Sequence, residues 1–426
     1  MPKRINPLFL TALAATLLVA CGDKNQPTRY SENMPSEFDS ELQPPTEITP
    51  VVFAKWRDAR RGRQQAKSQS NPYWKWILET ETSAYLANEH FGGPSSFGGN
   101  PVWEASRFGQ SKTILPDGRE ILIAGEHEDY YDPDFFIYND VIIRHPDGNI
   151  DFLGYPTDAF PPTDFHSATL LDDQIILIGN LGYDQDRLPN VTQLLALDIG
   201  TWQISKQPST GDNPGWLHHH RAELSDDKKS ILITGGIVNP ADPELPMIEN
   251  IDDWRLHLDD WRWERLTERK WPLFEISRSD DEPNQLWEMR QSEWEREFGK
   301  IDLAQAYKSI GQDIDAETVA ILTEATDYPP PKDRLALERL YQPDKVVHQQ
   351  IPERVLDEDD DDLSELGLTR IEVEGVIVRY KEESDSIQLT VEGELAKETI
   401  KALVADLVSK LSKVEGTEYQ SKKIRG

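Results

Sequence analysis

The sequence of 426 residues contains a single cysteine, Cys21, and only nine histidines. One cysteine cannot form an intrachain disulfide, so burial and hydrogen bonds must stabilise the fold. Basic residues are also scarce, because 45 Lys and Arg against 77 Asp and Glu give a formal charge of −32. This charge excludes nucleic acid as a partner and favours a basic one. Its simpler interpretation is solubility.

The chain also lacks a hydrophobic run long enough to span a bilayer as a helix, which takes about 20 residues. Its strongest run, Leu8 to Ala20, has 13 residues and follows Lys3 and Arg4. A basic start followed by a short apolar run is typical of a signal peptide. We therefore predict a signal peptide over residues 1–20.

The run ends in Leu18-Val19-Ala20-Cys21, which resembles the lipobox of bacterial lipoproteins. In that family the cysteine receives a diacylglycerol, the peptide is cut before it, and the new amino group is acylated. The resemblance implies lipidation of Cys21 and stable membrane anchoring. The alternative is an ordinary signal peptide with a cysteine at the cut. Gly22 follows the cysteine where inner-membrane lipoproteins carry Asp, which implies the outer membrane, facing the periplasm.

Composition and periodicity divide the remaining chain into five predicted segments. They are a polar tether (residues 21–70), a β domain (71–280), a helical region (281–350), an acidic linker (351–366) and a small α+β domain (367–426). The acid run Asp357 to Asp362 lacks the glycine and terminal glutamate of an EF-hand loop, so it predicts a solvated linker rather than a calcium site.

Within the β domain, three stretches repeat the order strand, Asp-containing turn, buried strand and glycine. Their glycines, Gly125, Gly179 and Gly235, are 54 and 56 residues apart. Each glycine precedes a polar loop and another apolar strand, and the last two of these strands lead to Trp202 and Trp263.

These repeats resemble the kelch repeat, a four-stranded blade of about 50 residues in a β-propeller. The leading histidine of the family matches His166 and His220, and its double glycine is intact at Gly235-Gly236. The resemblance implies a mainly β fold with kelch-like propeller blades. Three recognisable repeats do not complete a ring of four to eight blades. Three arrangements therefore stay open: degenerate strands from the flanks, an open array capped by helices, or two chains combined.

The last third of the sequence predicts helices and then a small mixed domain. Helical spacing covers Leu286 to Phe298, Asp315 to Thr326 and Asp333 to Tyr341. Beyond Gly367, the pattern predicts a ββαβ unit with strands over Thr369 to Lys381, Ile387 to Val391 and Thr417 to Ile424, and an amphipathic helix over Leu395 to Ser412.

The sequence contains no zinc-ligand spacing, P-loop, nucleophile elbow or kinase motif. We therefore predict no catalytic residue, metal or cofactor, and favour a protein that is not an enzyme. In the run Trp216 to Arg221, His218 and His220 would share one face of a strand. Because His220 matches His166 in the previous repeat, a structural role is favoured over metal binding.

Candidate binding residues come from a predicted loop of aromatic and acidic residues, Tyr130 to Phe136, and from the run Trp216 to Arg221. The set is Tyr130, Tyr131, Phe135, Trp216 and His218. Aromatic side chains beside acids suit contact with protein or sugar. The alternative is that the aromatics of the loop from Tyr130 to Phe136 cover the end of the β core.

These observations predict a lipid-anchored envelope protein that acts as a non-catalytic protein-interaction module. Its partners would be the membrane, through Cys21, and a protein of basic character. One alternative is a periplasmic carbohydrate-binding or sugar-isomerising kelch protein, with a glycan as ligand. Another is an immunity or inhibitor protein against a basic toxin. A copper-dependent kelch oxidase is disfavoured, because its cofactor is formed from a cysteine and a tyrosine. The sole cysteine of this sequence, Cys21, is the predicted lipidation site.

Overall fold

The computed structural model describes residues 43–94, 100–127, 135–239, 247–293, 331–352 and 368–425. The chain divides into two compact units, with the boundary between Glu268 and Arg269. We call the part before this boundary the N-terminal unit and the part after it the C-terminal unit. Cys21, the predicted signal peptide, the acid run and the predicted helix from Asp315 to Thr326 lie outside the described residues.

The N-terminal unit begins with three short helices. They are α1 (Pro50–Trp56), α2 (Pro72–Thr80) and α3 (Ala84–His90). Each starts at a residue whose side chain accepts a hydrogen bond from the first turn, namely Thr49, Asn71 and Ser83, which satisfies a main-chain N–H that has no partner within the helix. The sequence predicts a tether over residues 21–70, but α1 lies within this range, forms a helix and buries Phe53.

Three larger sheets, antiparallel except for one parallel pair of strands, and two small ribbons form the rest of this unit. The strands are β1 (Lys67–Ser68), β2 (Ser111–Ile114), β3 (Glu120–Ile123), β4 (Glu126–His127), β5 (Phe136–Ile137), β6 (Asp140–Arg144), β7 (Ile150–Gly154), β8 (Ser167–Leu171), β9 (Gln174–Ile178), β10 (Leu194–Asp198), β11 (Ile204–Lys206), β12 (Thr210–Gly211), β13 (Trp216–His218), β14 (Arg221–Leu224), β15 (Ser230–Thr234), β16 (Ile237–Asn239), β17 (Ile248–Glu249), β18 (Trp254–His257) and β19 (Arg262–Arg265).

The three sheets share one plan, in which four consecutive long strands form a meander. Sheet 1 has the order β1-β7-β6-β3-β2, sheet 2 the order β11-β10-β9-β8, and sheet 3 the order β12-β19-β18-β15-β14, in which β12 and β19 form the parallel pair. The first meander strands, β2, β8 and β14, neighbour one another. Small ribbons, β4-β5 and β13-β16-β17, extend from the connections. The fold is therefore mainly β, as the sequence predicts, and it contains several antiparallel sheets.

The two ends of these sheets differ in the length of their connections. Because each meander is antiparallel, the first strand starts where the second strand ends. At this end the second and third strands are joined by long connections, residues 124–139, 179–193 and 235–253. Tight turns close the opposite end. We call the two ends the long-loop end and the short-turn end.

Hydrophobic packing between the sheets explains the composition of their strands. In β9, Ile175 and Leu177 pack between sheets 1 and 2, whereas Ile176 and Ile178 pack between sheets 2 and 3. A strand that is buried on both faces has a continuous run of apolar residues, as β9 does. In β3, Leu122 instead packs with the helices that cover the outer face of sheet 1.

The outer face of sheet 3 is polar. Glu264 pairs there with Arg255, at 3.4 Å, and with His257, at 2.8 Å. On the opposite face of the same strands, Trp254 and Trp263 are buried against sheet 2. Sheet 3 therefore buries one face in the shared core and presents the other as a charged surface.

The C-terminal unit is a six-stranded sheet with helices. Its elements are β20 (Leu273–Arg278), a helical segment over residues 286–293, α4 (Arg334–Glu338), β21 (Gln349–Ile351), β22 (Leu368–Val373), β23 (Val376–Glu382), β24 (Ser386–Val391), α5 (Lys397–Glu415) and β25 (Tyr419–Arg425). The strand order is β21-β22-β23-β24-β20-β25. The apolar face of α5, including Leu403, Leu407 and Leu411, packs in the core of this unit.

The C-terminal end contains one strand more than the predicted ββαβ order. The range from Thr369 to Lys381 forms a hairpin, β22 and β23, rather than a single strand. Glu374 and Gly375 make its turn with φ values of 53° and 80°, as in the tight turns that join antiparallel strands. In the part of the chain that the structure describes, no helix is both long enough and apolar enough to traverse a bilayer.

Candidate functional site

A three-residue repeat lies where the first strand of each sheet begins, at the long-loop end. The copies are Gly109-Gln110-Ser111, Phe165-His166-Ser167 and His219-His220-Arg221. Their first residues have positive φ values of 62°, 47° and 55°. The main-chain N–H of Phe165 donates to the carbonyl of Gly109 at 3.0 Å, and that of His219 donates to the carbonyl of Phe165 at 2.9 Å. This ladder joins the three sheets at one end.

Two histidines reinforce the ladder through serine partners. Nε2 of His166 lies 2.8 Å from Oγ of Ser111, and Nε2 of His220 lies 2.9 Å from Oγ of Ser167. Nδ1 of both rings is buried and has no hydrogen-bond partner, so the ring proton belongs on Nε2. Burial lowers the pKa of His166 to about 4 and that of His220 to about 3. Both rings are therefore neutral links between sheets, consistent with the structural role predicted for His220.

A buried carboxyl pair lies beside this ladder. Asp164, which precedes Phe165, is fully buried, and its Oδ1 accepts a hydrogen bond from the main-chain N–H of Gly182 at 2.6 Å. Oδ2 of Asp164 is buried without a hydrogen-bond partner among the described residues, and the side chain of Glu126 is also buried. Burial raises the pKa of Asp164, against the opposing effects of Gly182, Glu126 and Arg187.

His218 occupies the position of Asp164 in the next repeat. Its ring is almost fully buried, Nδ1 contacts Nδ1 of His219, and Nε2 has no hydrogen-bond partner. Burial, followed by the charges of His219, Arg187 and His220, lowers the pKa of His218 well below its usual value. Arg187 donates to the carbonyls of Leu181 and Gly182 at 2.9 and 3.0 Å. We call Glu126, Asp164, Arg187 and His218 the polar cluster.

The side chains of the polar cluster are largely enclosed by protein. Its main-chain partners, Leu181 and Gly182, belong to the connection between β9 and β10. Among the described residues, no three His, Cys, Asp or Glu side chains lie close enough together to hold a metal ion. The arrangement therefore fixes the connections of sheets 1, 2 and 3 relative to one another.

The structure places the predicted binding residues in different environments. Trp216 and His218 lie together on β13, and both are buried. The indole Nε1 of Trp216 donates to the carbonyl of Leu181 at 2.9 Å. Phe135 is exposed and packs edge-to-face on Tyr183, with 5.7 Å between ring centroids. Tyr130 and Tyr131 lie outside the described residues.

Exposed apolar side chains gather on the connections of the long-loop end. Phe108, Phe135, Leu188 and Val191 are between 42% and 56% exposed. We call these four residues the apolar rim. Phe135 was a sequence candidate, whereas Leu188 and Val191 were not. Their stretch has neither helical nor alternating spacing, so the sequence does not single out its apolar residues.

Acidic side chains accompany the apolar rim. Asp184 is 69% exposed and pairs with Arg187 at 2.8 Å. Asp186 and Asp212 are also exposed at this end. A partner that covers the rim would therefore meet apolar surface and negative charge together.

Comparisons with known proteins leave the family of this chain open. No protein-family model and no curated protein matches the sequence. Solved structures that match include YjhT, at 13% sequence identity and a TM-score of 0.26, over 41% of this chain and 54% of that one. The chain thus spans about half the length of YjhT, and a similarity of this degree carries no argument about fold or function.

Proposed function

We propose that this protein is a lipid-anchored envelope protein that binds another protein, without catalysis, through the long-loop end of three kelch-like sheets. The apolar rim is the observation that carries this proposal. Phe108, Phe135, Leu188 and Val191 come from three separate segments, yet each exposes a large apolar side chain at the same end. Clustered exposed apolar residues surrounded by polar ones are typical of protein-binding surfaces.

The scaffold behind the rim suits recognition by loops. Each sheet has a buried core, and the histidine–serine pairs and the main-chain ladder tie the first strands together. Binding residues are often carried on loops that a rigid scaffold positions. The shared meander plan of the three sheets supports their interpretation as kelch-like blades.

The three sheets fit an open array better than part of a closed ring that would be completed by further blades. A blade inside a ring is covered on both faces, whereas the outer face of sheet 3 carries the Arg255, His257 and Glu264 ion pairs. At the other end of the array, the outer face of sheet 1 is covered by α1 and α2, with Trp74 stacked on Trp103 at 4.8 Å. Repeat arrays commonly end in atypical capping units with a polar outer face.

The partner we propose is basic. Asp184, Asp186 and Asp212 are exposed near the rim, and the chain has a formal charge of −32. Charge of one sign steers a partner of the opposite sign and excludes others. The anchoring part of the proposal rests on the lipobox resemblance at Cys21.

Site-specific photo-crosslinking in cells tests this proposal. A photoreactive amino acid replaces Phe135 or Leu188 in the rim, and the matched control carries it at Ile114, which is 62% exposed at the short-turn end. We expect a discrete crosslinked protein from the rim positions and none from Ile114. The same crosslink should weaken in the Cys21→Ser variant, which loses the anchor. Equal labelling at both ends, or none at the rim, contradicts the proposal.

A further inference from the structure

A cleft of about 460 Å³ opens in the N-terminal unit beside the apolar rim. It is lined by Pro189 and Asn190, residues 211–215, Val238 and Asn239 of β16, and Trp254 and Arg265 of sheet 3. The volume falls within the range of about 300–1,000 Å³ that is usual for small-molecule sites. The cleft is separate from the polar cluster.

Two of the lining residues, Trp254 and Arg265, have polar partners that hold them in place. The indole Nε1 of Trp254 donates to Oδ1 of Asn250 at 3.0 Å. The guanidinium of Arg265 lies 5.5 Å from the Trp254 ring centroid and is paired with the buried carboxylate of Asp252. Because its charge is already neutralised, Arg265 does not favour an anionic ligand.

One wall of the cleft is held in place by a network around Asn213. Oδ1 of Asn213 accepts hydrogen bonds from Oγ1 of Thr192, at 3.2 Å, and from the main-chain N–H of Gly215, at 2.9 Å. Its Nδ2 donates to the carbonyl of Asn190 at 3.3 Å. Gly215 has a φ of 90°, and a Cβ there would lie 2.5 Å from the carbonyl oxygen of Pro189. The wall is therefore preformed rather than loose.

Three polar side chains that line the cleft have their hydrogen-bonding capacity free. Within the described ranges, the amides of Asn190 and Asn239 and the carboxylate of Asp212 have no hydrogen-bond or ion-pair partner. Two amides and a carboxylate offer both donors and acceptors. Hydroxyl groups, which donate and accept at one atom, are the complementary ligand chemistry.

We infer that this cleft binds an uncharged, hydroxyl-rich small molecule, namely a saccharide of one or two rings. The free amides and carboxylate would bond its hydroxyls, and the apolar lining residues Pro214 and Val238 would contact its C–H surface. The paired Arg265 offers little to an anion, and the predominantly polar lining offers little to an apolar peptide side chain. The inference does not rest on the protein-binding role proposed for the apolar rim, although Asp212 belongs both to the cleft and to the acidic surface near the rim.

Ligand-observed NMR and calorimetry on the full chain in detergent test this inference. The probes are maltose, cellobiose and N,N′-diacetylchitobiose, with glucuronate and tri-lysine as charged comparators. We expect at least one neutral disaccharide to bind and both charged comparators to fail. Binding of none of the three disaccharides, or preferential binding of a charged comparator, overturns the inference.

Variants locate the bound sugar. The double substitution Asn190→Ala with Asn239→Ala should weaken binding at least tenfold, and Asp212→Asn should weaken it severalfold. The matched control, Asn149→Ala, changes an exposed turn at the short-turn end and should leave affinity unchanged. Thermal unfolding midpoints report whether each variant is folded. Unchanged affinity in both folded cleft variants places the sugar elsewhere and overturns the assignment.

Discussion

At the scale of single residues, the histidine–serine pairs show how the three sheets are linked and where the series stops. In sheet 1 the histidine position is occupied by Gln110, whose amide donates to the carbonyl of Ala124 at 3.2 Å, within its own sheet. In sheet 3 the serine position is occupied by Arg221, which is exposed. The pairing therefore ends at both outer sheets, in agreement with three repeats.

The pH dependence of stability should report the buried histidines. The pKa of His166 is lowered to about 4. Between about pH 6.5 and 4, its imidazole is therefore protonated in the unfolded chain and neutral in the folded chain. His166 therefore stabilises the fold fully above pH 6.5, and this contribution falls as the pH falls. Urea unfolding at pH 7 and pH 5 should show a loss of about 2 kcal/mol from this residue.

The variant for this measurement is His166→Gln, because Gln110 already occupies the equivalent position in sheet 1. We expect the loss of stability between pH 7 and pH 5 to be smaller in this variant than in the unsubstituted protein. His90→Gln, at an exposed residue that ends α3, serves as control. An identical pH dependence in His166→Gln and the unsubstituted protein would show that His166 is not buried as a neutral ring.

The carboxyl pair makes the opposite prediction. Because burial raises the pKa of Asp164, the charged form is less stable in the folded chain than in the unfolded chain. Its unfavourable effect is absent in acid and appears as the pH rises through the raised pKa. Asp164→Asn keeps an acceptor for the main-chain N–H of Gly182 and cannot ionise. It should stabilise the protein at pH 7.5 by on the order of 1 kcal/mol.

This gain should vanish near pH 3.5, where Asp164 is protonated in both states. Thermal unfolding of Asp164→Asn at the two pH values measures it, with Asp173→Asn, an exposed turn residue, as control. A variant that is less stable than the unsubstituted protein at pH 7.5 would mean that the ionised carboxylate is favourable at this site.

At the scale of elements, the glycines that end the second strands set how closely the connections approach the ladder. Gly236 has a φ of 86°, and a Cβ there would lie 2.6 Å from the carbonyl oxygen of His218 and 2.8 Å from Cβ of His220. Its neighbour Gly235 has a φ of 62° but open space around it. Substitution at Gly235 therefore tests backbone strain alone, whereas substitution at Gly236 tests backbone strain together with steric contact.

We expect Gly235→Ala to destabilise the N-terminal unit by roughly 1–2 kcal/mol, the effect of a left-handed conformation alone. Gly236→Ala should lose about 1–3 kcal/mol more, because the added carbon forces the main chain away from the ladder. Chemical denaturation of the two variants side by side makes the comparison. Equal losses would show that the connection moves freely away from His220.

The hairpin of β22 and β23 is marked in the sequence by a change in which alternate positions are apolar. Alternation read over the whole stretch as one strand misses this change. The apolar residues occupy odd positions in β22, Ile371 and Val373, and even positions in β23, Val376, Val378 and Tyr380. This change of parity occurs across the two-residue turn, since the chain reverses there while its apolar face stays in the core. A single strand cannot change parity without turning its apolar residues outward.

At the scale of the whole molecule, the C-terminal unit depends on a strand that is remote in sequence. β20 pairs with β24 on one side and with β25 on the other. Its residues lie before the helical segment and far from the strands they join. The sheet of this unit therefore cannot be completed by the last sixty or so residues, although the sequence pattern there suggests a small separate domain.

Two fragments test this dependence on β20. A fragment that starts at Arg269 contains β20 and should unfold cooperatively. One that starts at Glu282 lacks it, leaving β24 and β25 without their shared partner, and should show weak or absent tertiary structure. Near-ultraviolet circular dichroism and thermal unfolding distinguish the two. Equally cooperative unfolding would show that β20 is dispensable to the sheet.

The sequence by itself determined the β character of the N-terminal unit and the approximate positions of its strands, because alternation and tight turns are local properties of the chain. It also determined the helix of the C-terminal unit, whose apolar stripe is visible in the order of its residues. The prediction of lipidation at Cys21 likewise depends on local sequence alone.

Only the tertiary structure decided which of the polar and aromatic residues are enclosed. Trp216 and His218 look like candidates for contact with a partner, yet the connections of neighbouring sheets bury them. Glu126 and Asp164 are both buried, and β20 joins a sheet formed mostly by the end of the chain. These relations depend on contacts between segments distant in sequence, and burial is set by the packing of whole sheets, which no local pattern encodes.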